Sequence, residues 1–404
     1  MKRKKTLWMI GLFLPLISVV LSACVPVRDA APTKEFDYIK PTSAKDPDPA
    51  ASAEAVADES DRAVWELPNK ARALTPGLRD PAVSKVAQIT GEDSENRTLT
   101  RFNVWGTDLG SMTEMNGKVY MFCGDTFSSA EYTDWRSNVL FVIEDEDPSD
   151  GLTITGAAAD KNGFAKELLV NNHSVTVIPT NIFSVDDTLY CIFMHVTRWD
   201  DKGGVWDCSH SGLARSEDGG NTWTNVKKVQ WQGDSDFIQT ANCRVGDTMY
   251  FWGIPTGRFG GVALMKCGVH ELEDPEAYAC FTGCDDSGAP LWVKGSGGAG
   301  RAKVIIPAPV GEISAMYDEY LGNFIITYLH EGVGLVMREG VTPWGDWSGE
   351  YALASGDEYP ALYGGFLCPK YTEENGRVFY FAMSQYVPIY NIMWMRAQLP
   401  GIGS

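Results

Sequence analysis

The chain has 404 residues, of which 44% are hydrophobic and 22% are charged, and its formal net charge at pH 7 is −19. A chain of this length can bury a large core. Such acidity argues against nucleic acids and against anionic glycans, which need a basic surface, and is compatible with an exported protein that acts on a neutral polymer. We expect a monomer.

The first residues carry the features of an export signal. A basic start, Met1-Lys2-Arg3-Lys4-Lys5, precedes an apolar run, which predicts a secretory signal over residues 1–23. Its end, Leu21-Ser22-Ala23-Cys24, resembles a bacterial lipobox. That resemblance implies cleavage before Cys24 and lipidation of Cys24, so that the protein is anchored to the outer face of the cytoplasmic membrane or to the cell surface.

Composition divides the rest of the chain. Residues 24–61 are rich in Ala, Pro, Asp and Ser, which predicts a disordered tether. Residues 62–97 are expected to form an irregular or partly helical extension. Residues 98–404 carry repeated strand patterns and are the expected catalytic domain.

Eight cysteines follow Cys24. Export permits disulfides and the number is even, but the pairing cannot be read from sequence. Several cysteines lie in apolar strand patterns, where a buried free thiol is the plainer interpretation. No CxxC pair supports a structural zinc site. We expect no cofactor, and no ligand string supports a calcium ion in a central channel.

An apolar strand that follows a tight turn recurs five times. Its equivalent positions are Tyr120, Tyr190, Tyr250, Ile326 and Phe379, and a third strand follows in each copy. This pattern predicts an all-β, five-bladed β-propeller. A strand over Thr98–Trp105 is expected to complete the last blade and close the ring.

The segment from Ser216 to Trp223 fits the pattern S-x-D-x-G-x-T-W. It resembles the Asp-box, a turn between outer strands of blades in sialidases and related propellers. The second blade is therefore expected to carry an Asp-box in which Asp218 has a structural role.

Two aspartates flank a predicted hairpin. Asn116-Gly117 predicts a two-residue type I′ turn, which sets Met115 opposite Lys118 and Asp108 opposite Asp125. Like charges that face each other in this way destabilise a sheet, so that a purely structural role is disfavoured. Two close carboxylates suit glycoside hydrolysis, although one of them could equally cap a turn or hold an ion.

Several strings in order then resemble a known family over about residues 98–400. They are Trp105-Gly106-Thr107-Asp108-Leu109-Gly110, Phe122-Cys123-Gly124-Asp125-Thr126, Trp135-Arg136-Ser137-Asn138, Gly257-Arg258-Phe259-Gly260-Gly261-Val262, Val310-Gly311-Glu312-Ile313-Ser314-Ala315-Met316-Tyr317 and Leu362-Tyr363-Gly364-Gly365-Phe366. The family consists of secreted bacterial propellers long catalogued as a domain of unknown function, and some members are endo-D-arabinanases acting on mycobacterial-type arabinan. The resemblance implies that Asp108 and Asp125 are the catalytic pair. Cys123 departs from the more usual aromatic or aliphatic residue, which affects packing only.

Further residues are candidates for substrate binding. Glu312 is expected to face the cavity as a third acid that tunes a pKa or binds a sugar hydroxyl, and an inter-blade hydrogen bond is the alternative. The other candidates, each with an ordinary structural alternative, are Arg136, Asn138, Arg258, Trp105, Tyr363 and His195.

The resulting hypothesis is hydrolysis of α-D-arabinofuranosidic bonds in polymers of the arabinogalactan and lipoarabinomannan type. The mode is expected to be endo, with one aspartate as acid and the other as base or nucleophile. The sequence does not assign the two roles, and the stereochemistry leans to inversion. The alternatives are a non-catalytic glycan-binding lipoprotein, a sialidase, for which the arginine cluster is missing, and an L-arabinanase-like enzyme.

Overall fold

The computed structural model describes residues 59–68, 72–171, 174–295 and 299–402. The signal segment, Cys24 and nearly all of the predicted tether lie outside these residues. Two α-helices are present in the described part, α1 (Arg62–Glu66) and α2 (Thr98–Phe102), together with three short 3-10 turns. None of its helices combines the length and the apolar character needed to cross a membrane.

Strands make up nearly all the regular structure, and they form five antiparallel sheets. Before the first sheet the chain forms β1 (Ala82–Gln88). The first blade contains β2 (Gly106–Met115), β3 (Lys118–Phe127), β4 (Val139–Ile143) and β5 (Ile154–Ala157). The second contains β6 (Thr176–Val185), β7 (Thr188–Trp199), β8 (Trp206–Ser216) and β9 (Thr224–Gln232). The third contains β10 (Gln239–Val245), β11 (Thr248–Ile254), β12 (Gly260–Gly268), β13 (Ala279–Cys284), β14 (Pro290–Lys294) and β15 (Ile306–Val310).

The last two sheets follow the same plan. The fourth blade contains β16 (Ile313–Asp318), β17 (Asn323–His330), β18 (Gly334–Thr342), β19 (Gly345–Trp347) and β20 (Tyr351–Ser355). The fifth contains β21 (Leu362–Glu373), β22 (Val378–Gln385) and β23 (Asn391–Gln398), with β1 as its outermost strand. The first strands of the blades contact one another in cyclic order, β2 with β6, β6 with β10, β10 with β16, β16 with β21 and β21 with β2. The expected five-bladed β-propeller is therefore confirmed.

The strand that closes the ring is not the predicted one. An N-terminal strand does complete the fifth blade, but it is β1, which pairs with β23 from Ala82 opposite Gln398 onward. The prediction of a closing strand over residues 98–105 is wrong. Thr98–Phe102 forms α2 between Arg97 and Asn103, whose φ angles are +45° and +58°. The 62–97 extension is likewise more regular than predicted, since it holds α1 and β1.

The predicted end of the tether also needs correction, because Asp61 is buried in the third blade. Its carboxylate pairs with Lys266 at 2.7 Å and accepts hydrogen bonds from the hydroxyl of Tyr250 at 2.7 Å and the indole of Trp292 at 2.8 Å. A charge taken out of water needs such partners to be tolerated. Val64 in α1 is 1% exposed, so Asp61 and α1 are part of the folded unit.

The Asp-box forms the turn between β8 and β9 of the second blade. Asp218 accepts hydrogen bonds from the hydroxyl of Ser216 at 2.8 Å and from the amide and hydroxyl of Thr222 at 2.9 and 2.6 Å. Trp223 closes the loop by donating to the carbonyl of Gly220 and packs against Phe122 of the first blade at 5.1 Å between ring centroids. The loop thus joins two blades, and all the contacts of Asp218 lie within it.

The eight cysteines after Cys24 are free thiols, and five of them are buried. The buried ones lie in strands, as at Cys123 in β3 and Cys191 in β7. The plainer interpretation of the apolar patterns therefore holds for these residues, and none of the described cysteines forms a disulfide.

Candidate active site

Asp108 and Asp125 lie on neighbouring strands of the first blade. The turn prediction is confirmed, because Met115 lies opposite Lys118 and the register runs unbroken to Ser111 opposite Phe122. Beyond that point the ladder is irregular. Leu109 and Gly110 have φ angles of +61° and +89°, Leu109 lies opposite Cys123, and the register returns at Thr107 opposite Thr126. Asp108 therefore lies in a bulge, and the expected regular Asp108–Asp125 pair does not form.

The bulge redirects the side chain of Asp108, as bulges beside functional sites commonly do. Its carboxylate lies over Gly124, where a Cβ would collide with Oδ1 of Asp108. The hydroxyl of Tyr363 donates to Oδ2 at 2.9 Å, and Oδ1 is buried without a hydrogen-bond partner. A residue with a side chain at position 124 would therefore displace this carboxylate.

The pKa of Asp108 is raised to about 6. Burial is the main cause, because it disfavours the charged form, and the charge of Glu312 adds to it. The hydroxyls of Tyr390 and Tyr363 and the charge of Arg258 act in the opposite direction. A carboxyl group with such a pKa can change its protonation state near neutral pH.

Asp125 accepts two hydrogen bonds at Oδ1, from the indole of Trp135 at 2.7 Å and from the hydroxyl of Thr176 at 2.5 Å. Burial raises its pKa to about 8, and the negative charge of Asp108 is the next largest cause. Two carboxyl groups whose environments push their pKa values apart can divide the roles of acid and base. Here Asp125 is the group that keeps its proton to higher pH.

A central cavity of about 490 Å³, including its open mouth, lies beside Asp108. Its polar lining residues include Asp108, Arg258, Glu312 and Tyr363, and its aromatic wall contains Trp199 and Trp206. The remaining lining is largely apolar, with Ile178, Met194 and Phe366 among its members. An apolar cleft with a few convergent polar groups is typical of a small-molecule or glycan site. Asp125 is not part of this wall, although its side chain is only partly buried.

Glu312 faces the cavity, where it pairs with Arg258. Its Oε1 accepts from Nε and Nη2 of Arg258 at 2.8 and 2.7 Å, while its Oε2 is buried without a partner. Arg258 also lies 3.6 Å from Glu331 and 5.0 Å from the ring of Tyr363. Four of the predicted residues, Asp108, Glu312, Arg258 and Tyr363, are therefore brought together in one cavity.

Arg136 and Asn138 are placed away from the cavity. The guanidinium of Arg136 donates to the carbonyls of Ala165 and Asn103, and burial lowers its pKa. Asn138 is fully buried, donates to the carbonyls of Leu169 and Val177, and accepts from two amides with its oxygen. The polar groups of Asn138 are thus used within the protein, so these two residues hold the backbone and their predicted contact with substrate has no support.

Trp105 and His195 also lie outside the cavity wall. Trp105 is partly buried and makes an edge contact with Tyr132. His195 stacks on His210 at 4.2 Å between ring centroids, and its Nδ1 lies 2.6 Å from the hydroxyl of Ser174. Burial and the neighbouring His210 lower the pKa of His195 to about 4. Trp105 and His195 therefore have environments that fit the structural alternative given for each of them rather than contact with substrate.

Sequence reasoning missed several residues of the site. Trp135 and Thr176 bind Asp125, Tyr390 lies beside Asp108, and Trp199 and Trp206 line the cavity. Of these, only Trp135 lies in one of the sequence strings that carry the family resemblance. In the described part of the chain, no group of three or more His, Cys, Asp or Glu residues is arranged to hold a metal ion.

The fold and the site define a five-bladed propeller with a carboxylate-bearing central cavity. The chain belongs to the family described as Domain of unknown function (DUF4185), whose model matches residues 93–396. The membership of a domain-of-unknown-function family expected from the strings is thereby confirmed. No curated protein matches the chain.

Solved structures with a similar fold include a candidate hydrolase from Bacteroides ovatus, with 11% identity and a TM-score of 0.52, covering 80% of this chain and 93% of that chain. An arabinanase from Bacillus subtilis has 11% identity and a TM-score of 0.43, with 73% and 96% covered. An α-L-arabinofuranosidase from Podospora anserina has 9% identity and a TM-score of 0.44, with 81% and 99% covered. At such identities the likeness to the Bacteroides structure concerns the fold alone.

Proposed function

We propose that this protein is a glycoside hydrolase that cleaves α-D-arabinofuranosidic bonds within D-arabinan of the arabinogalactan and lipoarabinomannan type. The observation that carries the proposal is the pair Asp108 and Asp125, two carboxyl groups on neighbouring strands with raised and different pKa values, of which Asp108 lines the open cavity. Glycosidases use such a pair, one member protonated and the other ionised. The acidic chain also suits a neutral polymer.

We infer the roles of the two carboxyl groups from the difference between their environments. Asp125 has the higher pKa, and its protonated carboxyl transfers its proton to the glycosidic oxygen as the bond from that oxygen to the anomeric carbon breaks. Asp108, with the lower pKa, is ionised and accepts a proton from the water molecule that attacks the anomeric carbon from the opposite face. The products are two shorter chains, and this course inverts the anomeric configuration.

The decisive experiment is product analysis after incubation of purified D-arabinan with a soluble form that begins after Cys24. This form keeps Asp61 and its contacts with the third blade. We expect oligosaccharide products from the wild type and none from Asp108→Asn or Asp125→Asn. The matched control is Asp150→Asn at an exposed carboxylate, which should release products at the wild-type rate.

The anomeric configuration of the first products, observed by NMR, tests the inverting course separately. A retained configuration would reject the roles given to Asp108 while keeping the enzyme. Catalysis would be contradicted if the wild type bound the polymer without releasing products and the variants bound it equally well. The protein would then be a propeller that binds wall polysaccharide.

The location of the protein is a further part of this proposal. Lipidation at Cys24 would hold the propeller at the cell surface as a monomer on a tether, within reach of wall polysaccharide. Labelled fatty acid should enter the wild type and not Cys24→Ala, and the variant should appear in the culture medium. Equal labelling of both forms would contradict the anchor, and size-exclusion chromatography of the released form tests the monomer.

A further inference from the structure

The hairpin between β7 and β8 forms one wall of the cavity and has no assigned role so far. Its two strands end at Trp199 and Trp206, which lie directly opposite each other, with ring centroids 5.5 Å apart in an edge-to-face arrangement. Both rings line the cavity. Trp206 is buried, whereas Trp199 is 39% exposed, so that part of an aromatic ring is accessible on a residue that lines the same cavity as Asp108.

Ion pairs hold the hairpin together internally, and one backbone hydrogen bond joins it to the third blade. Arg198 pairs with Asp200 at 2.8 Å and with Asp207 at 2.7 Å. Gly204, with a φ of +76°, accepts a hydrogen bond from the amide of Arg258 at 2.9 Å, and a Cβ at Gly204 would press on the side chain of Arg258. The aromatic wall is therefore in place before a ligand arrives, which reduces the entropy lost on binding.

Polar groups of complementary chemistry lie next to these rings. The guanidinium of Arg258 is 5.9 Å from the ring of Trp206 and donates twice to Oε1 of Glu312. Oε2 of Glu312, in a side chain that is 7% exposed, has no hydrogen-bond partner. An unpartnered buried acceptor is costly and is satisfied by a ligand that donates a hydrogen bond. A sugar ring offers an apolar C–H face to an indole and hydroxyl donors to a carboxylate.

We propose that Trp199, with Trp206, Arg258 and Glu312, forms a subsite that binds one sugar ring of a neutral polysaccharide next to the bond that is cleaved. The ring stacks on the exposed face of Trp199 and a hydroxyl donates to Oε2 of Glu312. This subsite rests on the proposed function, since it places the sugar relative to the reaction of Asp108 and Asp125. The ring that it holds is not the one whose anomeric carbon is attacked, and the subsite therefore favours substrates that extend beyond the attacked ring.

Binding is measured in the Asp108→Asn background by calorimetry with a D-arabino-disaccharide and a D-arabino-hexasaccharide. Trp199→Ala should weaken binding of the hexasaccharide about tenfold, which corresponds to about 1.4 kcal/mol. Trp199→Phe keeps an aromatic face and should restore most of the affinity. Phe164→Ala, at a side chain that is 42% exposed and outside the cavity wall, is the matched control and should bind as the parent does.

Kinetics in the active background separate this subsite from a general loss of structure. Trp199→Ala should raise KM for the polymer and leave kcat nearly unchanged, because an interaction made equally in the ground state and the transition state affects binding alone. Thermal unfolding of each variant shows whether it is folded. Unchanged affinity and KM in folded Trp199→Ala would overturn the subsite, although the wild type still cleaves D-arabinan. A wild type that neither binds nor cleaves D-arabinan would instead reject the proposed function.

Discussion

Two regions of the propeller carry aspartates with opposite pKa shifts. In the Asp-box of the second blade, burial alone would raise the pKa of Asp218, but hydrogen bonds from Thr222 and Ser216 outweigh it and lower the pKa. In the hairpin of the first blade, burial dominates, and the pKa values of Asp108 and Asp125 rise to about 6 and about 8. The Asp-box turn stabilises the charged form of its aspartate, and the first-blade hairpin disfavours the charged forms of Asp108 and Asp125.

The difference shows how to separate a structural carboxylate from a functional one. Each hydrogen bond to Asp218 comes from its own loop, so its charge is used to hold the turn. Asp108 keeps an oxygen without a partner and lies beside another acid, which lowers stability rather than raising it. Carboxyl groups that lower stability in this way are candidates for a catalytic role.

The largest expected effect is on catalysis. Asp108→Asn and Asp125→Asn should each reduce kcat by about 10²–10⁴-fold, the usual contribution of a positioned acid or base. Asp218→Asn should leave kcat unchanged, because its contacts stay within the turn. Initial rates on D-arabinan, corrected for the folded fraction, check both statements. Similar losses of kcat in all three variants would contradict the distinction between a structural Asp218 and a catalytic Asp108 and Asp125.

The second expected effect is on stability, and here the aspartate whose replacement is harmful is Asp218 of the Asp-box. Asp218→Ala should lower the free energy of unfolding by about 0.5–1.5 kcal/mol, because the hydrogen bonds that Thr222 and Ser216 donate to this exposed carboxylate are lost. Urea titration followed by circular dichroism measures this change. The control is Asp150→Ala at an exposed site, where a comparable loss would show that the Asp-box contacts are not its cause.

The third effect concerns pH and follows from the direction of each shift. A carboxyl group with a raised folded pKa binds more protons in the native state than in the unfolded state, so stability falls as pH rises from about 4 to about 8. Asp125→Asn should remove part of this decline and be more stable than the wild type at pH 8, by at least about 1 kcal/mol. Unfolding titrations at pH 5 and pH 8 compare the two proteins, and an identical pH dependence would contradict the raised pKa.

The smallest effect is a displacement of the pH–rate profile. The charge of Glu312 helps to raise the pKa of Asp108, so Glu312→Gln should move the acid limb of kcat to lower pH by less than about one unit. Glu358→Gln, at an exposed site, is the control and should leave the limb in place. A limb that moves to higher pH would show that Glu312 does not act on Asp108 through its charge.

The sequence predicts strand registers well where a turn fixes them locally. Asn116-Gly117 determines the β2–β3 register, which the structure confirms as far as Ser111. The bulge at Leu109 and Gly110 was not predicted, because it depends on contacts from other blades. One such contact is the hydrogen bond from the amide of Leu109 to the hydroxyl of Ser384 in β22.

The errors at the N-terminus have a different cause. β1 is an edge strand in which every residue keeps some exposure, so its sequence lacks a clear alternation of apolar and polar residues. Residues 98–105 have the β-branched and aromatic composition of a strand, yet Thr98 accepts from the amide of Gly91 and donates to the carbonyl of Val104, which folds the segment back on itself. Long-range partners of this kind, like Thr176 on Asp125, leave no local signal.

The burial of Asp61 also has a mechanical consequence. Its partners Tyr250, Lys266 and Trp292 belong to three different strands, β11, β12 and β14, of one blade. A pulling force applied to the polypeptide at Glu59 is transmitted first to this junction and is shared by those strands. The β1–β23 seam lies further along the chain, so tension reaches it only after the Asp61 junction has given way.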